Sequence, residues 1–175
     1  MKPSFGSRLV ALFLGAAATC LFIYGARSAA SHAMASPPVP TSPAAQSPKP
    51  DPWTTEQTVE PAALAKELSS NSKPTVVCAA PHFLYEGGHI PGASFHGPAS
   101  TPQGLDDLKK WASTIPKSTS LVVYCGCCPL THCPNLGPAF EALHAMGFSH
   151  LRVLLLHTNF YTDWASKGYA TDKGD

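Results

Sequence analysis

Downstream of residue 53 the hydrophobic pattern switches between short apolar runs and stretches whose apolar positions fall three or four apart. Three runs read as buried strands: TVVCAA at 75–80, LVVY at 121–124 and LRVLLL at 151–156. The intervening stretches read as helices. PAALAKELS, 61–69, opens on a proline and places Leu64 and Leu68 four apart. Residues 104–114 carry Leu105, Leu108 and Ala112 at helical spacing, with Asp106 and Asp107 early and Lys109 and Lys110 following. Asn135 is placed to cap a helix running to Met146, with Leu136, Phe140 and Leu143 on one face and Gly147 as its stop. A last short helix is expected around 161–166, before Gly168. Strands that are apolar almost throughout, with Arg152 the one charge, and that alternate with helices predict an α/β fold: a central, mostly parallel sheet flanked by helices on both faces.

The first 52 residues follow other rules. Lys2 and Arg8 precede an apolar run from Leu9 to Ala26, and small residues with an Ala33-Met34-Ala35 pattern follow it. That order fits a signal peptide or an N-terminal membrane anchor over 1–35. The run of 9–26 is borderline for a span, which needs roughly 20 apolar residues, so membrane attachment through it stays open. Residues 36–52 hold seven of the 18 prolines and almost no large apolar side chain, which predicts an extended, unfolded linker. The folded domain is expected over 53–175.

Composition narrows the partners. A formal net charge of +1 gives no field for polyanions, so nucleic acid is not an expected partner. Export would put the protein in a periplasmic or extracellular compartment where disulfides persist. The mature chain then keeps five cysteines, at 78, 125, 127, 128 and 133, an odd number that leaves at least one thiol unpaired or bound to a ligand.

Four of these fall in YCGCCPLTHCPN, 124–135. Cys125 ends a central strand, and the loop after it feeds a helix. Free N–H groups at a helix start favour an anion nearby, which biases a cysteine held there toward thiolate. Three kinds of chemistry are open to the loop. The thiols can attack a substrate, hold a metal or cross-link the loop. As a metal site, Cys125, Cys127, Cys128, His132 and Cys133 would suit copper as Cu(I), or zinc. A disulfide between the neighbours Cys127 and Cys128 is strained, so Cys125 with Cys128 or with Cys133 is the expected pairing.

YEGGHIPGA (85–93), LVVYC (121–125), GF followed by LRVLLL (147–156) and DWASKGY (163–169) together resemble the rhodanese-like sulfurtransferases. The resemblance implies a rhodanese-like fold and an enzyme without a cofactor. Such an enzyme takes sulfane sulfur from thiosulfate or a persulfide donor, carries it as a persulfide on Cys125 and passes it to a thiol acceptor. On this reading Cys128 and Cys133 are candidate resolving thiols, joining sulfur transfer to redox chemistry. Gly126, Cys127 and His132 in the loop, with His157 and Asn159 beyond the third strand, are expected to face the small sulfur-containing substrate. The chain also departs from the family. Cys78 and Ala80 stand where an Asp and an Arg are usual, and the loop is longer and lacks a cationic side chain other than His132. The alternatives to sulfur transfer remain a thiolate-rich metal module and a disulfide-stapled, non-catalytic binding domain.

Overall fold

Every residue of the central strand is buried: Leu121, Val122, Val123 and Tyr124 are each at most 1% exposed. Successive strand side chains point to opposite faces, so both faces of the sheet are covered there. The computed structural model describes residues 50–174. The chain divides into two units, 1–44 and 45–175, and the described residues all belong to the second. The expected signal peptide or anchor and most of the proline-rich linker lie outside the described residues. Among the described residues no helix is long and apolar enough to cross a membrane.

The elements run β1 (Thr58–Val59), α1 (Pro61–Leu68), β2 (Thr75–Cys78), α2 (His82–Gly87), β3 (Ser94–Phe95), α3 (Pro102–Ala112), β4 (Leu121–Tyr124), α4 (Leu136–Ala145), β5 (Leu151–Leu154) and α5 (Phe160–Asp163). The sheet order is β1-β5-β4-β2-β3, and every pairing of these strands is parallel. The α/β architecture expected from the apolar runs is the one observed.

Local chemistry explains the helices. Pro61 begins α1 at the position where no N–H is needed, and Leu64 anchors it in the core. In α3 the Thr101 hydroxyl accepts the Gly104 N–H at 3.1 Å, while Lys109 and Lys110 occupy the last turn, where cations suit the helix dipole. Leu136, Ala139, Phe140 and Leu143 put one stripe of α4 into the core, and Gly147, at φ 89°, turns the chain beyond it.

The differences from expectation are local. Strands expected through Ala80 and Leu156 stop at Cys78 and Leu154. Ala79, Ala80 and Leu156 stay buried, so their apolarity reflects the core, and of the three only Ala79 still bonds to β4, its N–H donating to the Tyr124 carbonyl at 2.8 Å. β1 and β3 have two residues each, too short to show a period, and α2 is a single short helix behind Pro81. α2 leads into the GGHIPGA stretch, which is built structurally. The Tyr85 hydroxyl donates to the Ala93 carbonyl at 2.7 Å, and His89 stacks on the Tyr85 ring with centroids 3.8 Å apart. His89 also exchanges backbone hydrogen bonds with Asp172, tying down the end of the chain.

Candidate active site

β4 ends at Tyr124, whose hydroxyl accepts the Ile90 N–H at 3.2 Å, so the strand tip is pinned before the cysteine loop begins. Cys125 is 3% exposed. Gly126 follows in the left-handed region at φ 73°, and its carbonyl accepts the Phe160 N–H at 3.1 Å, which joins the loop to the start of α5. Cys127 and Cys128 are half-buried. A 3-10 turn over Leu130–His132 then brings Cys133 back toward them.

The sulfurs of Cys125, Cys127 and Cys133 lie within 4.8 Å of one another. Cys127 Sγ is 3.9 Å from Cys133 Sγ and 3.1 Å from Cys128 Sγ. Asn135, buried at 2% exposure, holds the cluster from the other side. Its amide nitrogen donates to Cys125 Sγ at 3.4 Å and to Cys127 Sγ at 3.7 Å, while its carbonyl oxygen accepts the Ser100 N–H at 3.0 Å. The side chain read from the sequence as a helix cap makes no cap bond and is turned to the sulfurs instead. All five cysteines among the described residues are free thiols.

Negative charge in this cluster is disfavoured on Cys125 and favoured on Cys127 and Cys133. The Cys127 thiol is drawn down to about 5, first by the Cys125 S–H donating to it and against the opposing effect of burial. Cys128, Cys133 and the Asn135 amide lower it further. Cys125 moves the other way, held protonated because its hydrogen is shared with the sulfurs of Cys127 and Cys133 and because it is buried. Cys133 is also lowered, by the Cys125 thiol and then by the backbone N–H groups of Asn135 and Leu136. Burial pushes Cys128 up to about 12 and Cys78 to about 11. The amides expected to converge on Cys125 are therefore divided. Cys125 receives one from Cys127, and the helix-start amides serve Cys133.

A cavity of about 870 Å³ opens over this loop. Cys125, Gly126, Cys127 and Asn159 line it, together with Cys78, Tyr124 and Phe160. Cys128 and Cys133 belong to the sulfur cluster but not to the cavity wall. His132 binds the Thr131 hydroxyl at 2.9 Å, and exposed His157 lies 3.9 Å from Glu60 Oε1; neither histidine lines the cavity. Asn159 caps α5, accepting the Thr162 N–H at 2.8 Å. Of the side chains the sequence did not assign to the site, Asn135 and Phe160 matter most here. Asn135 was visible only as a cap, and Phe160 carried no signal.

A thiol at Cys127 with this environment has a distinct signature. Its alkylation by iodoacetamide is expected to run at a level rate from about pH 8 to about pH 6 and to slow as pH falls through about 5. A rate that keeps climbing to about pH 8.5 marks an ordinary thiol and contradicts the assignment.

No family model and no curated protein matches the chain. Solved structures do. The rhodanese-like domain of the Alr3790 protein from Anabaena sp., determined by NMR, is similar at 23% identity and a TM-score of 0.51, covering 67% of this chain and 79% of that one. A crystal structure of the same Anabaena protein gives 22% identity and a TM-score of 0.51, over 66% of this chain and 82% of that one. The BH2092 protein from Bacillus halodurans aligns at 16% identity with a TM-score of 0.52, over 66% of this chain and 76% of that one. At these identities the likeness is one of fold: the chain has a rhodanese-like α/β fold, with a cysteine-rich cluster at the tip of its central strand.

Proposed function

We propose that this is an exported thiol enzyme that accepts sulfane sulfur as a persulfide, with Cys127 as the entering nucleophile and Cys133 as the resolving thiol. The observation that carries the reading is positional. Cys127 faces the cavity, is more exposed than Cys125 and has Cys133 Sγ 3.9 Å behind it. Cys125, matched by resemblance as the sulfur carrier, becomes the buried donor that steadies the anion beside it. Export rests on the charge and hydropathy order of residues 1–35.

The steps balance. The Cys127 thiolate attacks the outer sulfur of a donor, the donor's sulfur–sulfur bond breaks, and the leaving group departs with the electron pair. Cys127 then carries –S–S⁻. An external nucleophile can take the outer sulfur and restore the thiolate. Otherwise the Cys133 sulfur attacks the inner sulfur, closing a Cys127–Cys133 disulfide and expelling sulfide, which takes the thiol proton; a dithiol reductant must then reopen the bridge. Cys128 is nearer but unsuited. Adjacent Cα atoms sit about 3.8 Å apart across a trans peptide, short of the roughly 4.4 Å at which disulfides begin.

A single-turnover reaction tests the pairing. Mixed with one equivalent of a sulfane donor and no acceptor, the parent protein is expected to release sulfide and lose two thiols. Cys133→Ser is expected to keep the persulfide and release no sulfide. Equal sulfide release from both proteins rules out Cys133 as the resolving thiol.

One second reading is favoured by geometry. Three sulfurs within 4.8 Å of one another, with no further ligand from His132, suit a soft low-coordinate cation such as Cu(I) better than tetrahedral zinc. Elemental analysis of protein prepared under reducing conditions separates this from sulfur transfer: stoichiometric copper supports it, and metal-free active protein refutes it.

A further inference from the structure

Among the described residues two large hydrophobic side chains are conspicuously exposed, Phe83 at 68% and Tyr161 at 73%, and both line the cavity over Cys127. They come from different helices, α2 and α5. Leaving such side chains in water forgoes the gain of burying them, and clustered exposure of this kind marks a binding surface. Leu84, Tyr124, Phe160 and Tyr169 extend the apolar part of the wall, which Asn159, Thr171 and Lys173 interrupt.

Size and charge point the same way. A volume of about 870 Å³ lies within the range of roughly 300–1,000 Å³ typical for organic ligands. An inorganic donor such as thiosulfate would fill a small part of it. The lining also offers little to a dianion: Lys173 is its one cationic side chain, and no arginine contributes. A hydrated dianion entering here would lose water contacts and gain few charged partners.

We propose that the site takes its sulfur from an organic donor, in which the sulfane sulfur is attached to an apolar body of about one ring and Phe83 and Tyr161 close over that body. This rests on the sulfur-transfer reading and names its substrate class. Benzenethiosulfonate is a suitable probe, because it delivers the same sulfur as thiosulfate but carries a phenyl ring. The Cys127 thiolate attacks its outer sulfur, the bond to the sulfonyl sulfur breaks, and benzenesulfinate leaves with the electron pair.

The experiment compares kcat/KM for benzenethiosulfonate and thiosulfate with one acceptor, in the parent, Phe83→Ala and Tyr161→Ala. The parent is expected to prefer the aromatic donor by at least about tenfold, and each substitution should pull that ratio toward one. A parent ratio near one, or a ratio that neither substitution moves, overturns the proposal. Should neither donor react, the sulfur-transfer reading fails while the pocket remains testable with benzenesulfinate. Saturable calorimetric binding to the parent that Phe83→Ala weakens upholds an apolar organic site; absence of binding overturns it.

Discussion

Replacing Cys127 with serine is expected to lower kcat/KM for sulfane sulfur transfer by at least about 10³-fold while leaving the thermal midpoint nearly unchanged. The serine hydroxyl is close in size, but it cannot be ionised near neutral pH and its oxygen cannot form a persulfide. Stability should hold because Cys127 is half-buried at the cavity edge and is not one of the core residues. The comparison with Cys125→Ser is informative. That change replaces the first of the donors that lower Cys127, a thiol, with a hydroxyl. A hydroxyl can still donate to the thiolate, so the expected loss is smaller, roughly tenfold to a hundredfold. Steady-state rates at fixed pH for the two variants therefore rank them in opposite orders according to which sulfur enters the reaction. Activity lost in Cys125→Ser but kept in Cys127→Ser would return the role to Cys125.

The second large effect belongs to Gly126. An added Cβ there would sit 2.7 Å from Phe160 Cβ and 3.0 Å from Phe160 N, both fixed parts of α5, and the residue is in the left-handed region at φ 73°. A left-handed non-glycine residue costs roughly 1–2 kcal/mol, and relieving the contact adds a comparable amount. Gly126→Ala is expected to destabilise the domain by about 3 kcal/mol, a fall in Tm on the order of 10 °C. It also displaces Phe160 from the cavity, so activity should fall with stability. Gly137→Ala is the control: a Cβ there meets nothing within 4 Å inside α4, and alanine favours the helix. Its Tm should match or slightly exceed the parent's. Equal losses in the two variants contradict the steric account.

How far the site could be read in advance depended on what each residue's role requires. β4 was legible because four consecutive apolar residues need burial on both faces, which an interior parallel strand supplies. β5 was legible from Leu151, Val153 and Leu154 despite Arg152, which is half-buried and paired with Glu67. From β4 it followed that Cys125 stands at a strand tip. The sharing of its proton did not follow, because that depends on the path by which the 3-10 turn returns Cys133 to Cys127. Asn135 shows the same limit. Its position before α4 was evident, but its own backbone is helical, φ −92° and ψ −34°, and this aims the carboxamide at the sulfurs. His157 was expected at the cavity rim because it follows β5; the chain turns there, and the ring lies toward Glu60. Phe83 and Tyr161 carried no sequence signal, since exposure of an aromatic residue is settled only when the whole sheet is assembled.

The sulfur that enters the reaction is the one that holds the cargo. After one equivalent of a sulfane donor, trapping with a persulfide-alkylating reagent and fragment-ion mapping of the peptide spanning 125–133 locates the added sulfur. The account predicts it on Cys127; its recovery on Cys125 in folded protein, with Cys127 unmodified, would contradict the account.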